Sequence, residues 1–151
     1  MVGYNYETGT ITNCVNYSEV IAGTVEYDFA NGGADYAGGI TSTNKGTVEK
    51  CYNTGKVKAT SNRTVSNAAG IIGGNYNIVN LCFNIGEIES NNKSIFYIGG
   101  IIAKNFTEVT NVITNCIYNN QQINGIGNLD DFEGVTRDLS LDLDKIKQYI
   151  K

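Results

Sequence analysis

Proline, histidine and tryptophan are absent from this chain of 151 residues, and methionine occurs once. Lacking histidine, it has no side chain of the kind most used for proton transfer and metal binding near neutral pH. Lacking proline, and rich in Ile, Val, Thr, Tyr, Asn and Gly, it suits short strands joined by tight, often left-handed turns. Basic charge is sparse: 11 Lys and Arg stand against 15 Asp and Glu, a net charge of −4. That balance, with the lysines scattered, argues against a nucleic-acid binder, which needs clustered basic surface. The densest basic group, Lys45, Lys50, Lys56 and Lys58, reads as solvated outward positions of strands. No apolar run approaches the roughly 20 residues needed to span a bilayer. The start, Met1-Val2-Gly3-Tyr4, has neither a basic n-region nor an apolar h-region, so no signal peptide is read there. It reads instead as the middle of a repeat, which implies a fragment of a longer, exported chain.

What the sequence does contain is one phrase written four times. Its cores are Val2-Gly3-Tyr4-Asn5 with Ile11, Cys14, Asn16 and Val20, then Gly39-Ile40 with Asn44, Val48, Cys51, Asn53 and Val57. The third is Gly70-Ile71-Ile72-Gly73 with Asn75, Val79, Cys82, Asn84 and Ile88. The fourth is Gly100-Ile101-Ile102-Ala103 with Asn105, Ile113, Cys116, Asn119 and Ile123. Self-similarity at a period of roughly 20–50 residues marks a stacked repeat architecture.

Parity then orients the side chains. The apolar residue upstream of each cysteine lies three positions before it, and strand residues three apart face opposite ways. A bend at Asn13, Lys50, Leu81 and Asn115 resolves the conflict. Asn at two of these four positions fits a left-handed residue there. Each cysteine and the Asn two positions on then point inward, while Val15, Tyr52, Phe83 and Ile117 point outward. Three short strands and three turns make a coil of about 22 residues. The cysteines are separated by 37, 31 and 34 positions, so the surplus is expected in corner loops around Ala30–Asp35, Thr60–Asn67 and Ser90–Ser94. The fold read from these features is all-β: a right-handed parallel β-helix, or β-solenoid, of about four rungs. Its coils are expected at about 1–35, 36–67, 68–96 and 97–127.

Two columns of amides follow from this register, Asn5, Asn44, Asn75 and Asn105, and Asn16, Asn53, Asn84 and Asn119. Stacked at rungs about 4.8 Å apart, they can bond up the stack and satisfy turn backbone. Small residues at Gly3, Ser42, Gly73 and Ala103 mark a close approach of backbone. The thiols of Cys14, Cys51, Cys82 and Cys116 form a line, which cannot close round one metal ion. Their parallel side chains also disfavour disulfides. They are read as an inert, reduced, buried ladder.

The stretches Gly70-Ile71-Ile72-Gly73-Gly74-Asn75 and Gly46-Thr47-Val48-Glu49-Lys50-Cys51-Tyr52-Asn53-Thr54-Gly55-Lys56-Val57 resemble the GLUG-motif repeat of bacterial surface and secreted proteins. The likeness covers about residues 1–124. It departs at Ser42 and Ala103, which replace the closing Gly, at Asn77 and Asn111, and at insertions in the fourth copy. The resemblance implies a non-catalytic, adhesin-like or peptidase-associated repeat region and carries over no catalytic residue.

Past Gly127 the repeat stops, and residues 128–151 read as an acidic turn and a short helix over 139–150. Leu139, Leu143, Ile146 and Ile150 recur at helix spacing, with Ser140 or Asp142 as cap and late Lys145, Lys147 and Lys151. Its expected task is to cap the last rung.

Carboxylate pairs at Asp28/Asp35, Asp130/Asp131 and Asp142/Asp144 are the candidates for glycoside or calcium chemistry, but none fits a calcium loop. Four sequons, at Asn16, Asn62, Asn92 and Asn105, arise in so Asn-rich a chain by composition. No catalytic, cofactor-binding or metal-binding residues are assigned. The outward column Val15, Tyr52, Phe83 and Ile117 is the candidate binding stripe. The expected function is a non-enzymatic stalk, spacer or adhesive module at the cell surface or outside the cell, meeting a protein or carbohydrate surface. A polysaccharide-acting β-helix enzyme or its carbohydrate-binding accessory domain is one alternative. A solenoid that self-associates end to end through its open N-terminal rung is another.

Overall fold

The inward positions of the repeat dictate a coil, and the chain winds accordingly as a parallel β-helix. The computed structural model describes residues 1–23, 34–60, 65–90, 95–106, 112–130 and 132–151. The first coil runs through β1 (Val2–Asn5), β2 (Thr10–Thr12), β3 (Val15–Asn16), β4 (Val20–Gly23) and β5 (Ala34–Gly38). The second repeats it with β6 (Thr41–Asn44), β7 (Thr47–Glu49), β8 (Tyr52–Asn53), β9 (Val57–Thr60) and β10 (Val65–Ala69). The third comprises β11 (Ile72–Asn75), β12 (Val79–Asn80), β13 (Phe83–Asn84) and β14 (Ile88–Ser90), and is closed by the first half of β15 (Ile95–Asn105). The second half of β15 opens the fourth coil, followed by β16 (Ile113–Thr114), β17 (Cys116–Tyr118), β18 (Asn124–Ile126) and β19 (Val135–Arg137).

Equivalent strands stack in parallel into four sheets: β2-β7-β12-β16, β3-β8-β13-β17-β19, β4-β9-β14, and a seven-stranded sheet. Because β15 is continuous, this last sheet covers two walls, one built on β1, β6 and β11 and the other on β5 and β10. A coil thus holds five strand segments rather than three. Ala34–Asp35 and Val65–Asn67, expected in loops, belong to strands. Thr60 and Ser90 likewise end strands, and the remaining residues of those expected loops lie outside the described residues.

The bend before each cysteine is present in all four coils. Asn13, Lys50, Leu81 and Asn115 have φ of 55°, 51°, 50° and 54°. This left-handed residue swings the chain through a corner, so the apolar residue three before the cysteine and the cysteine itself both face the core. Ile11, Val48, Val79 and Ile113 accordingly pack with Cys51, Cys82 and Cys116 and with Ile71, Ile72, Ile101 and Ile102. A second, thinner core joins Val20, Val57 and Ile88 to Ala37, Ala59 and Ala68. It fills a narrow arm formed by β4, β9 and β14 facing β5, β10 and the start of β15. Small alanines let the two walls of the arm approach closely.

The fourth coil departs from the repeat. Tyr118, not Asn119, pairs with Asn84: the register runs on unbroken from Ile117, so a tyrosine takes the place of the ladder amide. The chain then crosses directly to β18, which pairs with β15 at Gly99 and Ile102. Ile123, expected above Ile88, lies in no strand. Nor does stacking end at Gly127, since β19 continues it with Cys116↔Val135 and Ile117↔Thr136.

The C-terminal helix, α1 (Leu143–Tyr149), is shorter than the expected 139–150. Asp142 is its N-cap, accepting from the Lys145 N–H at 2.9 Å, and Lys147 occupies its last turn. It lies along the side of the stack, while β18 and β19 extend the last rung. No helix among the described residues is long and apolar enough to cross a membrane.

Candidate functional site

The predicted stripe forms as a register column, Val15↔Tyr52↔Phe83↔Ile117, on the outer face of its wall. Most of it is not available as a binding surface, which corrects the expectation. Leu141 and Ile146 bury Tyr52 and Phe83 in a third apolar cluster, with Ile117, Leu143 and Ile150 packed against it. Tyr149 stacks on Phe83 with ring centroids 5.4 Å apart. Phe83 is fully buried, Tyr52 is 8 % exposed, Ile117 is half-buried, and Val15, at 39 %, stands in solvent. The physical reason is amphipathic complementarity: the helix needs an apolar floor, and this column provides it. At the stripe's edge the Tyr17 and Tyr52 hydroxyls share a hydrogen bond of 2.7 Å, and Tyr52 is pushed up to about 12 by that bond and by burial.

The amides tie one coil to the next. Nδ2 of Asn5 donates to Oδ1 of Asn44, Asn44 to Asn75 and Asn75 to Asn105, at 2.8, 2.9 and 3.0 Å. In the second column Asn16 donates to Asn53 and Asn53 to Asn84, at 2.7 and 2.8 Å. Each also holds its own turn, as where Asn84 donates to the Gly86 carbonyl and accepts from the Gly86 N–H, both at 3.1 Å. Asn119 stands outside this ladder; its Nδ2 donates to the Leu141 carbonyl at 3.0 Å and anchors the tail. A tight approach lies at the glycine opposite this column. A Cβ at Gly39 would fall 2.7 Å from Cγ of Asn53, so the inward amide takes the space a side chain would fill.

All four thiols are free. Cys51, Cys82 and Cys116 are buried and donate to the carbonyls of Glu49, Asn80 and Thr114, at 3.1, 3.4 and 3.2 Å. Burial pushes the Cys82 thiol well above its ordinary range. Cys14 corrects the expectation of a uniformly buried ladder, being exposed on the first coil. Among the described residues no group of three or more His, Cys, Asp and Glu is placed to hold a metal ion. Of the acidic candidates, Asp142 caps α1, Asp144 pairs with Lys147 at 3.6 Å, and Asp130 accepts from Asn124 at 3.1 Å. Asp28 and Asp131 lie outside the described residues, as do the sequon residues Asn62 and Asn92. Lys56 and Lys58, expected to be solvated, pair across the rung with Glu89 at 2.7 and 3.7 Å.

A different surface remains open. The residues following the first Asn ladder, Tyr6, Lys45, Tyr76 and Phe106, are joined by Tyr4 and Lys104. Tyr76 and Phe106 stack at 4.4 Å and 2° between planes. The Lys45 ammonium stands 5.5 Å from the Tyr76 ring and 5.9 Å from Tyr4, and Lys104 stands 4.7 Å from Phe106 and 5.5 Å from Tyr97. Tyr36 extends the patch, 6.4 Å from Phe106 and over Gly74, where a Cβ would meet its ring at 3.2 Å. Beside it, in register between Tyr36 and Tyr97, the buried Asn67 amide has no hydrogen-bond partner on either atom. Comparison with protein families, curated proteins and solved structures finds no match for the chain. The patch therefore stands on its own chemistry: aromatic surface, two cations and an unpaired amide on one flank. Sequence reasoning passed over it, although the aromatic or lysine that follows each Asn of the first ladder was a readable signal.

Proposed function

We propose that the chain is a non-enzymatic repeat module of a bacterial cell-surface or secreted protein, a stiff spacer that carries an adhesive face. Its likeness to the GLUG-motif repeat supports the setting. The inward amides and thiols support the absence of catalysis, because the side chains best suited to chemistry are spent on holding coils together. The observation that carries the reading is the Tyr4–Tyr6–Lys45–Tyr76–Phe106–Lys104 face, which draws on every coil and stands clear of α1. Aromatic rings with interleaved ammonium groups suit carbohydrate or protein surfaces and favour anionic ones.

The test pairs binding with turnover. The chain is passed over immobilised polysaccharides and proteins, neutral and anionic, while released reducing ends are measured in the same samples. Salt-sensitive retention that is lost in a Tyr76→Ala/Phe106→Ala variant, with no sugar release, is the expected result. Release of reducing ends, or retention indifferent to both substitutions, overturns the reading.

A further inference from the structure

Independently of the aromatic face, we propose that the top of the arm receives an extended strand from a partner chain, added in parallel to the free edge of β14. The geometry comes from the irregular fourth coil. In the first three coils the arm is complete, with β4, β9 and β14 stacked in order. In the fourth, the chain passes from Tyr118 to β18 without laying a strand over β14. The Ile123 carbonyl is held instead by the Tyr118 hydroxyl at 3.1 Å and by Arg137 Nη2 at 2.9 Å. Among the described residues β14 has β9 on one side and no strand on the other.

What lies there is a cavity of about 590 Å³, lined by Ile88, Glu89, Ser90, Ile98, Ile123 and the stem of Lys58, among others. Its size falls within the range of about 300–1,000 Å³ usual for ligand sites. The Ser90 hydroxyl is buried and has no hydrogen-bond partner, and buried polar groups are nearly always paired. An unpaired strand edge is a template for another strand, and strand addition to such an edge is a recurring mode of peptide recognition.

The columns beneath this edge specify the occupant. Val20, Val57 and Ile88 form the first inward column, and Ala22, Ala59 and Ser90 the second. Between them Ile21, Lys58 and Glu89 face outward. A strand laid on β14 continues all three. It presents an aliphatic residue above Ile88, a small residue above Ser90, and a basic residue above Glu89, where opposite charges directly across a pair of strands attract. The fitting partner is therefore an extended segment reading aliphatic–basic–small. Val57-Lys58-Ala59 already has this pattern beneath β14, so a peptide copying Thr54–Thr60 serves as the probe.

The experiment titrates that peptide into the labelled full chain and follows backbone amide shifts and hydrogen exchange. Saturable binding is expected, with shifts and added protection centred on Ile88–Ser90. A peptide in which only the lysine equivalent to Lys58 is replaced by glutamate should bind about fivefold more weakly, the scale of one cross-strand charge pair. A Lys58→Glu/Glu89→Lys double variant retains a charge pair within the arm and should reverse that preference between the two peptides. Absence of saturable binding, equal binding of a scrambled peptide, shifts centred elsewhere such as Tyr76 and Phe106, or an unreversed charge preference each overturns the proposal. Loss of the aromatic face in Tyr76→Ala/Phe106→Ala should leave peptide binding unchanged, so the two surfaces are tested separately.

Discussion

Replacing Asn53 by Leu tests whether the amide ladder, and not apolar burial alone, holds the coils in register. Asn53 is fully buried and takes part in three hydrogen bonds. Its Nδ2 donates to the Gly55 carbonyl at 2.7 Å and to Asn84 Oδ1 at 2.8 Å, and its Oδ1 accepts from Asn16 at 2.7 Å. Asn16 keeps the Ser18 carbonyl as an acceptor and Asn84 Oδ1 keeps the Gly86 N–H, so the Gly55 carbonyl bears most of the loss. Three net bonds plus one buried carbonyl deprived of its donor amount to about 3–5 kcal/mol, a large part of the roughly 5–15 kcal/mol typical of a domain. Urea unfolding with an unchanged m-value reads this directly, and Gln121→Ala on the surface serves as the control. A loss below about 1 kcal/mol would mean that the ladder decorates the turns without supporting them. Asn53→Asp adds a test of sign. An ionised carboxylate at this position would set an oxygen against the Gly55 and Asn84 oxygens, so its folded pKa must rise above the unfolded value of about 3.9. Stability of this variant is then greatest below about pH 4 and is lost as pH rises through the folded pKa; a variant stable at pH 7 and weaker in acid refutes the geometry.

Lys50 sits at φ 51°, where a left-handed conformation costs about 1–2 kcal/mol and Asn is better tolerated; Lys50→Asn should raise stability by about 0.5–1 kcal/mol in urea unfolding. A thiol reagent should label Cys14 rapidly and Cys51, Cys82 and Cys116 only as the chain unfolds, because the latter three are buried. Tyr52, pushed up to about 12 by its bond to Tyr17, should ionise last in an ultraviolet alkaline titration, and Tyr17→Phe should bring it down. The raised pKa means that this contribution is present below about pH 10 and is lost as pH climbs through the folded value. Ile146→Ala in α1, at a site with no exposed surface, should cost about 2–5 kcal/mol and increase binding of a hydrophobic dye as Phe83 and Tyr52 are uncovered.

The parts of this fold that could be read in the sequence are those that recur at one place in each coil. The parity conflict between Val48 and Cys51 required a bend, and Lys50 supplies it although lysine is a poor residue for that conformation. A single Lys or Leu at such a position carries no local signal; only its alignment with Asn13 and Asn115 reveals it. The walls of the arm were missed for the opposite reason. Ala34–Gly38, Val65–Ala69 and Ile95–Gly99 share little beyond small or aliphatic inward residues at Ala37, Ala68 and Ile98. What those positions require is a size to fit between two close walls, and many residues meet it. Their outward neighbours Tyr36, Asn67 and Tyr97 vary freely by the same logic.

The binding stripe fails for a related reason. An outward apolar column of a solenoid looks the same from sequence whether solvent or another part of the chain covers it. The tail carried the missing information, because Leu143, Ile146 and Ile150 on one face require an apolar partner, and β18 and β19 already extend the last rung. Of the walls, the one bearing Tyr52 and Phe83 had apolar side chains at every level, whereas the outward column of β4, β9 and β14 alternates Ile21, Lys58 and Glu89. Pairing the tail's apolar face with the uniformly apolar column, and leaving the aromatic column interrupted by lysine uncovered, follows from composition alone once both faces are counted. A cation seated between rings keeps such a column wet as well as sticky, which leaves the Tyr76–Phe106 face open while the Tyr52–Phe83 face is closed.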